Sequence, residues 1–192
     1  MSATEIMYRE AVKWKSFGID SFVMKVEAEC GSKKLSKKFV KLDSEILLSP
    51  DNMPNDVNFF GIFLDNSGLV CLDIEHAPPG SVQNFFFFLE EVELNPDTFL
   101  MENSLNGGLH IFFRSPNLEI ETKHFLEFRG IGFDFLTKGR VFTSPSFFKQ
   151  KKYQWWNGGI REFESKKEIQ IIPSPLLEMV QKSNCWKRKT KI

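Results

Sequence analysis

The chain has 192 residues, of which 42% are hydrophobic and 26% are charged, and its formal net charge is +0. This composition predicts one globular domain with a sizeable core, and it excludes nucleic-acid binding driven by overall charge, so that such binding would need local patches. The three widely spaced cysteines argue against a zinc ribbon and a disulfide framework. We find neither a signal peptide nor an apolar run that could span a bilayer, and expect a soluble intracellular protein without membrane contact.

The first third of the chain predicts a helix followed by strands. Apolar residues recur at steps of three and four from residue 3 to about 17, and a strand is expected over 19–26. Five lysines between residues 33 and 41 fit either a solvated loop or a phosphate-binding segment. The apolar runs 57–64 and 69–75 are joined by the turn Asp65-Asn66-Ser67-Gly68, which predicts a β-hairpin.

The run 69–75 ends in two acids separated by one residue, Asp73 and Glu75. In a strand these side chains share a face, and two adjacent carboxylates repel each other unless a cation lies between them. Oxygen ligands favour Mg²⁺, Mn²⁺ or Ca²⁺ over zinc. The same pattern also fits a strand that runs into an acidic, solvated turn, so both interpretations stay open at this point.

The middle of the chain predicts a helix over 81–93 and then a hairpin. A short strand at 98–101 and a returning strand at 109–114 flank Asn106-Gly107-Gly108, a strong turn signal. On the returning strand His110, Phe112 and Arg114 share one face. A single histidine on a strand is often a structural residue, and a Gly-Gly pair is often only a turn.

The last third contains Asp134 within the apolar run 131–136, where an acid is costly to bury unless it is paired or bound to metal. Strands are expected over 124–129 and 141–143, and a helix over about 175–182. Trp155 and Trp156 fit either core packing or base stacking. We expect residues 1–183 to form a single domain, followed by a disordered basic tail at 184–192.

Three motifs therefore follow in order: Leu72-Asp73-Ile74-Glu75, Gly107-Gly108-Leu109-His110 and Gly132-Phe133-Asp134. Together they resemble the primase-polymerase (prim-pol) catalytic domain of the archaeo-eukaryotic primase superfamily, in the form found in plasmid and viral replication proteins. The resemblance spans about residues 5 to 180. One departure is Leu136, which stands where the family often has an arginine.

The resemblance implies an α/β (α+β) fold, with an RRM-like mixed antiparallel sheet core and a smaller N-terminal α/β unit flanking the active-site cleft. It implies DNA-templated nucleotidyl transfer with two Mg²⁺ or Mn²⁺ ions held by the catalytic residues Asp73, Glu75 and Asp134. The implied partners are a DNA template and primer, dNTPs or NTPs, and a helicase or accessory helical domain in the parent protein or in trans. The implied nucleotide-binding residues are His110, Ser104, Gly107, Gly108, Arg114, Lys138, Arg140, Ser144 and Ser146.

Two other functions remain compatible with the same residues. A metal-dependent nuclease would use the three acids with His110 as general base. A non-catalytic nucleic-acid-binding replication module would retain the acids without using them. A rolling-circle initiator is disfavoured because His76, His110 and His124 do not cluster in the sequence.

Overall fold

The structure, a computed structural model, describes residues 1–26, 38–115 and 121–185. In these ranges there are three α-helices: α1 (Ala3–Ser16), α2 (Ser81–Glu91) and α3 (Ser174–Lys182). The strands are β1 (Ser21–Lys25), β2 (Lys38–Leu42), β3 (Phe59–Phe63), β4 (Leu69–Ile74), β5 (Leu100–Asn103), β6 (Leu109–Arg114), β7 (Lys123–Phe128), β8 (Ile131–Leu136), β9 (Arg140–Thr143), β10 (Phe147–Phe148), β11 (Lys151–Lys152), β12 (Gln154–Trp155) and β13 (Asn184–Cys185).

Helix α1 has a cap at each end and one buried face. The Ser2 hydroxyl accepts a hydrogen bond from the backbone N–H of Glu5, which caps the first turn. Beyond the last turn, Gly18 adopts a φ of +75°, which a glycine reaches without steric cost. The stripe formed by Met7, Ala11 and Trp14 is fully buried. The helix predicted over residues 3 to about 17 is therefore confirmed.

The larger sheet has seven strands in the order β12-β5-β6-β4-β8-β7-β13. Strand β4 lies at its centre and pairs antiparallel with β6 on one side and β8 on the other. Its residues other than Asp73 are buried because both faces of the sheet are covered, which explains why the run 69–72 is apolar without alternation.

The smaller sheet has four strands in the order β2-β1-β3-β9. Three of them precede β4 in the chain, but the fourth, β9, follows β8 and pairs with β3. The small unit is therefore built from both halves of the sequence. Every ladder between strands in the described ranges is antiparallel, and together with the three helices this confirms the predicted mixed α and β class.

The hairpin predicted from the runs 57–64 and 69–75 is wrong. The turn forms, with the Ser67 hydroxyl donating to Leu64 O and accepting from the N–H of Leu69. However, β3 lies in the smaller sheet and β4 in the larger one. Each is an interior strand whose two edges already pair with other strands, so the turn carries the chain from one sheet to the other.

Two hydrophobic cores hold these layers together. One fills the space between the larger sheet and helices α2 and α3, with Leu72, Ile111 and Phe133 among its members. The other joins α1, the inner face of the smaller sheet and the opposite face of the larger sheet, with Trp14 and Phe112 in edge contact. The larger sheet therefore separates the two cores, and its central strands contribute to both.

The C-terminal end of the sheet differs from the expected domain boundary. Asn184 and Cys185 form β13, which pairs with Glu127 and Leu126 of β7, so the sheet extends two residues beyond position 183. The remainder of the predicted tail, and residues 33–37 of the lysine-rich segment, lie outside the described residues. In the described part of the chain, no helix combines the length and hydrophobicity needed to cross a membrane.

Candidate active site

Four polar side chains form a row across four neighbouring strands of the larger sheet. Strand pairing places Glu102 of β5 opposite His110 of β6, His110 opposite Asp73 of β4, and Asp73 opposite Asp134 of β8. Residues paired in this way share a face, with their Cβ atoms about 5 Å apart. We call Glu102, His110, Asp73 and Asp134 the polar row. It lies beside the junction of the two sheets, because Thr143 at the end of β9 contacts Glu102.

His110 lies between two carboxylates. Its Nε2 is 3.5 Å from Asp73 Oδ1, and its Nδ1 is 3.2 Å from Glu102 Oε1. Burial opposes the charged imidazolium, but Asp73 and then Glu102 outweigh burial and raise the pKa of His110 to about 10. At neutral pH the ring is therefore a cation that donates from both nitrogens, and it balances the charge of Asp73.

Glu102 is the member of the row that the sequence did not reveal. Its side chain is fully buried and accepts hydrogen bonds from Thr143 Oγ1 at 2.9 Å and from the N–H of Ser144 at 2.7 Å, in addition to His110. Burial raises the pKa of its carboxyl, and the donors, His110 first, oppose that shift. Three donors on two oxygens match an ionised carboxylate, which only accepts.

A signal for Glu102 was available. Glu102 is an acid at the end of an apolar strand, just as Asp134 is an acid within one. Counting residues outward from the Asn106-Gly107 turn along both strands places Glu102 opposite His110. The strand predicted over 98–101 stopped one residue too early to include it.

Asp134 is positioned by an irregularity in the neighbouring strand. The pairing of β7 with β8 shifts register between Lys123 and Leu126, and Phe125 adopts a φ of +54°. This bulge directs the N–H of Phe125 at Asp134 Oδ1, 2.7 Å away, and places His124 Nδ1 2.8 Å from Asp134 Oδ2. His124 is thus a second site residue that the sequence analysis did not assign.

Glu75 follows directly after β4, on the same side as Asp73 because side chains alternate along the chain. Its backbone N–H donates to Gly132 O, and its side chain is half-buried. The three predicted acids therefore lie on one face of two adjacent strands. As their side chains are arranged, no three His, Cys, Asp or Glu residues in the described ranges surround a common point at which a metal ion could bind.

The donor set nevertheless suits a hard divalent cation. Asp73 and Asp134 are directly opposed, Glu75 lies next to them, and all three offer oxygen atoms. Mg²⁺ and Mn²⁺ prefer such ligands and keep several of their waters, so few protein ligands are needed.

Comparison with models of protein families identifies the family of this chain. The family model described as bifunctional DNA primase/polymerase, N-terminal, matches residues 30–175. The chain belongs to this family. A search of curated proteins found no match. The prim-pol match contains the whole polar row, so Asp73, His110 and Asp134 lie in a family domain associated with primase and polymerase function in replication.

The hairpin that carries His110 is closed by its own polar groups. The backbone N–H of Ser104 donates to Gly108 O, and the Ser104 carbonyl accepts from the N–H of Gly107. The Ser104 hydroxyl accepts from the N–H of Gly108 at 3.2 Å. Gly107 has a φ of +82°, the left-handed conformation that the turn requires. A Cβ atom on Gly108 would lie 2.3 Å from Ile74 O, so this glycine lets the hairpin approach the end of β4.

Two other predicted nucleotide-binding residues lie at a distance from the row. Arg114 is four residues beyond His110 on β6, about 13 Å along a strand, and its Nε donates to Ile169 O at 2.7 Å. Lys138 lies four residues beyond Asp134, in the turn between β8 and β9. The structure does not bring either residue to the acids.

Three more lie on or after β9. Arg140 faces away from the row, with its guanidinium carbon 5.0 Å from the centre of the Phe39 ring. Ser146 is fully buried, and its hydroxyl bonds with the backbone of Phe60 and with Thr143 O. Ser144 does reach the row, through its backbone N–H on Glu102.

The aromatic segment after β11 divides between core and surface. Trp155 packs against Trp14 and Phe112 and donates its indole N–H to Glu10, which confirms the core interpretation for this residue. Trp156 is 41% exposed. Tyr153 lies over the row, with its ring centre 5.4 Å from that of His110, and burial raises the pKa of its phenol.

Proposed function

We propose that this prim-pol domain catalyses DNA-templated nucleotidyl transfer, with deoxynucleotides or ribonucleotides as substrates. The observation that carries the proposal is the register that sets Asp73 opposite Asp134 and beside His110, in a chain that belongs to the primase/polymerase family. This arrangement joins a negatively charged pair with an adjacent fixed cation. Transfer of a nucleotidyl group needs both groups side by side: the acids to bind the metal ions and the cation to bind the triphosphate.

Asp73, Glu75 and Asp134 would hold two Mg²⁺ or Mn²⁺ ions. When bound, such ions activate the attacking primer oxygen and neutralise the charge on the leaving pyrophosphate. The bulge at His124 and Phe125 holds the Asp134 carboxylate in place through the backbone N–H. Because Asp73 and Asp134 lie on central, fully paired strands, their backbones are rigid, which suits a site that must keep its geometry.

His110 supplies a positive charge next to the acids, because Asp73 and Glu102 raise the pKa of its ring. Glu102, fully buried behind it, fixes the ring orientation and stabilises the imidazolium. We propose that this cation donates a hydrogen bond to the triphosphate when the nucleotide displaces part of its contact with Asp73. Ser104, Gly107 and Gly108 hold the hairpin that presents it.

His110 makes the alternative function, a metal-dependent nuclease, the weaker proposal. A nuclease using these acids needs His110 as a general base, which requires a neutral ring able to accept a proton. Both ring nitrogens of His110 face carboxylate oxygens, Nε2 facing Asp73 and Nδ1 facing Glu102, so the ring is placed to donate hydrogen bonds. His110 therefore suits anion binding and not proton abstraction.

The test is primer extension on a short primed DNA template with Mn²⁺ and nucleoside triphosphates. Wild-type protein is compared with Asp73→Ala and with Glu90→Ala, which removes one carboxylate from the exposed side of α2. We expect extension by wild type and Glu90→Ala but not by Asp73→Ala. Shortened DNA would instead identify a nuclease, and a mobility shift without any change in the DNA would identify a binding module.

A further inference from the structure

A second surface of the protein combines aromatic rings with cations. In the smaller sheet Val23, Phe60 and Val141 point inward to the core beneath α1. Side chains alternate along a strand, so the intervening residues point to the opposite face. The outer aromatic face consists of Phe22, Phe39, Phe59, Phe63, Phe142 and the adjacent Phe148.

The rings of this face form a continuous layer. Neighbouring ring centres lie between 5.0 Å, for Phe22 with Phe39, and 6.3 Å, for Phe59 with Phe148. Phe22 is at the centre and lies over Gly61, where a Cβ atom would meet its ring at 2.4 Å. Phe22 is 1% exposed, whereas Phe39 is 36% exposed.

Three cations stand over the rings of the layer. The Arg140 guanidinium is 5.0 Å from the centre of Phe39, Lys41 Nζ is 5.7 Å from that of Phe63, and Lys149 Nζ is 5.7 Å from that of Phe148. Asp20, the residue before β1, pairs with both Lys15 and Lys41 and is thereby neutralised. Among the described residues, no carboxylate forms an ion pair with Arg140 or Lys149.

We propose that the outer aromatic face binds single-stranded nucleic acid, with a base stacked at Phe39, the exposed ring of the layer, and phosphates on Arg140, Lys41 and Lys149. A single strand presents flat bases together with a regular line of negative charge, which matches rings and cations in the same layer. A duplex conceals its bases, so the rings would have no partner in it. This binding goes beyond the proposed catalytic function and does not require metal.

The position of β9 relates this face to the polar row. Thr143 points inward and contacts Glu102, whereas the preceding Phe142 belongs to the outer face. The two surfaces thus lie on opposite sides of one sheet. A strand bound to the outer face remains separate from the acids, and it can be followed while the cleft is left without metal.

The experiment measures binding of a labelled single-stranded oligonucleotide of about 15 nucleotides, as DNA and as RNA, by fluorescence anisotropy in EDTA. The test variants are Phe39→Ala, Arg140→Ala and Lys149→Ala. Their matched controls are Phe87→Ala, which removes a ring that is 57% exposed on α2, and Lys182→Ala, which removes an exposed cation on α3. Circular dichroism and urea unfolding establish that each variant is folded. If Phe39→Ala does not fold, Lys149→Ala, a change at an exposed turn, still tests the proposal.

We expect Phe39→Ala to weaken binding roughly tenfold, the effect of losing one stacked base. Arg140→Ala and Lys149→Ala should each reduce the slope of log affinity against log salt by about 0.7, and the two controls should bind as wild type does. Binding that is unchanged in all three test variants, or weakened equally in the controls, overturns the proposal. A third result would also overturn the proposal: wild-type protein self-associates, and Phe39→Ala abolishes that self-association without changing oligonucleotide binding. This face would then be a dimer interface.

Primer extension with the same proteins keeps this inference distinct from the catalytic proposal. If binding depends on the outer face but no protein extends a primer, the catalytic function fails and the binding surface stands. If wild type extends a primer and the outer-face variants bind normally, only the binding surface fails.

Discussion

Glu102 and His110 face each other across the β5–β6 hairpin, with 3.2 Å between Glu102 Oε1 and His110 Nδ1 and with the Glu102 carboxylate fully buried. A buried carboxylate is stable only when its charge and its lone pairs are matched. His110 provides the charge, and Thr143 and Ser144 provide the remaining donors. The pair joins the last strand of the smaller sheet to the row of acids in the larger one.

Replacing Glu102 by Ala should therefore destabilise the protein by about 3–5 kcal/mol, because it leaves a buried imidazolium and a backbone N–H without their acceptor. Urea unfolding followed by circular dichroism measures this. Glu102→Gln retains one acceptor oxygen and should cost less, while Glu90→Ala at an exposed position should cost nothing measurable. A loss below about 1 kcal/mol in Glu102→Ala would show that the pair does not hold the sheets together.

Removing Asp73 should abolish stoichiometric Mn²⁺ binding, because it takes away the central oxygen ligand between Glu75 and Asp134. Isothermal titration of Mn²⁺ into wild type, Asp73→Ala and Glu90→Ala measures this. The fold should remain intact, since the Asp73 side chain is partly exposed at 26%. No gain in stability is expected, because the variant also removes one of the two carboxylates that balance His110. Full Mn²⁺ binding by Asp73→Ala would contradict the assignment of the site.

The two glycines of the hairpin should differ in their response to alanine. Gly108→Ala places a Cβ atom 2.3 Å from Ile74 O, so backbone must move, and we expect a loss of about 1–3 kcal/mol together with lost extension activity. Gly107→Ala meets only His76 Nδ1 at 3.7 Å, and its cost of about 1–2 kcal/mol arises from the positive φ alone. Urea midpoints and primer extension on both variants distinguish these causes. Equal loss of activity in the two variants would mean that close approach to β4 is not what the hairpin needs.

Glu10 should make stability depend on pH. Burial raises its pKa from 4.5 to about 7, although Arg161 and Trp155 oppose the shift. Because the folded-state pKa lies above the unfolded one, the protonated carboxyl stabilises the fold fully below pH 4.5, and this contribution is lost as the pH rises through 7. The loss is at most about 3 kcal/mol.

Glu10→Gln should remove this pH dependence. The difference in unfolding free energy between variant and wild type should therefore be smaller at low pH than at a pH of about 8. Urea unfolding at a series of pH values measures it. Glu178→Gln, an exposed change on α3, serves as control and should follow the wild-type curve. A Glu10→Gln curve parallel to wild type across the whole range would exclude Glu10 as its source.

The acids and the histidine could be identified from the sequence because each interrupts a local pattern. Asp73 ends an apolar strand, Asp134 lies within one, and His110 follows a Gly-Gly turn. Such interruptions are visible over a few residues because the alternation of a strand has a period of two. The order of the motifs then indicated the family, and the family model confirms it.

Pairing between distant strands could not be identified in this way. The turn at residues 65–68 specifies a change of direction but not a partner. Strands β3 and β4 pair with residues that follow 35 or more positions later: β3 with β9, and β4 with β6 and β8. The roles of Glu102 and His124 depend on that pairing and on a bulge in β7. Arg140 was likewise expected to bind the nucleotide beside the acids, but the face of its strand places it next to Phe39, away from the polar row. The sequence thus determined which residues are chemically unusual, and the tertiary structure decided which of them meet, because long-range register is set by the burial of whole strands and not by any local pattern.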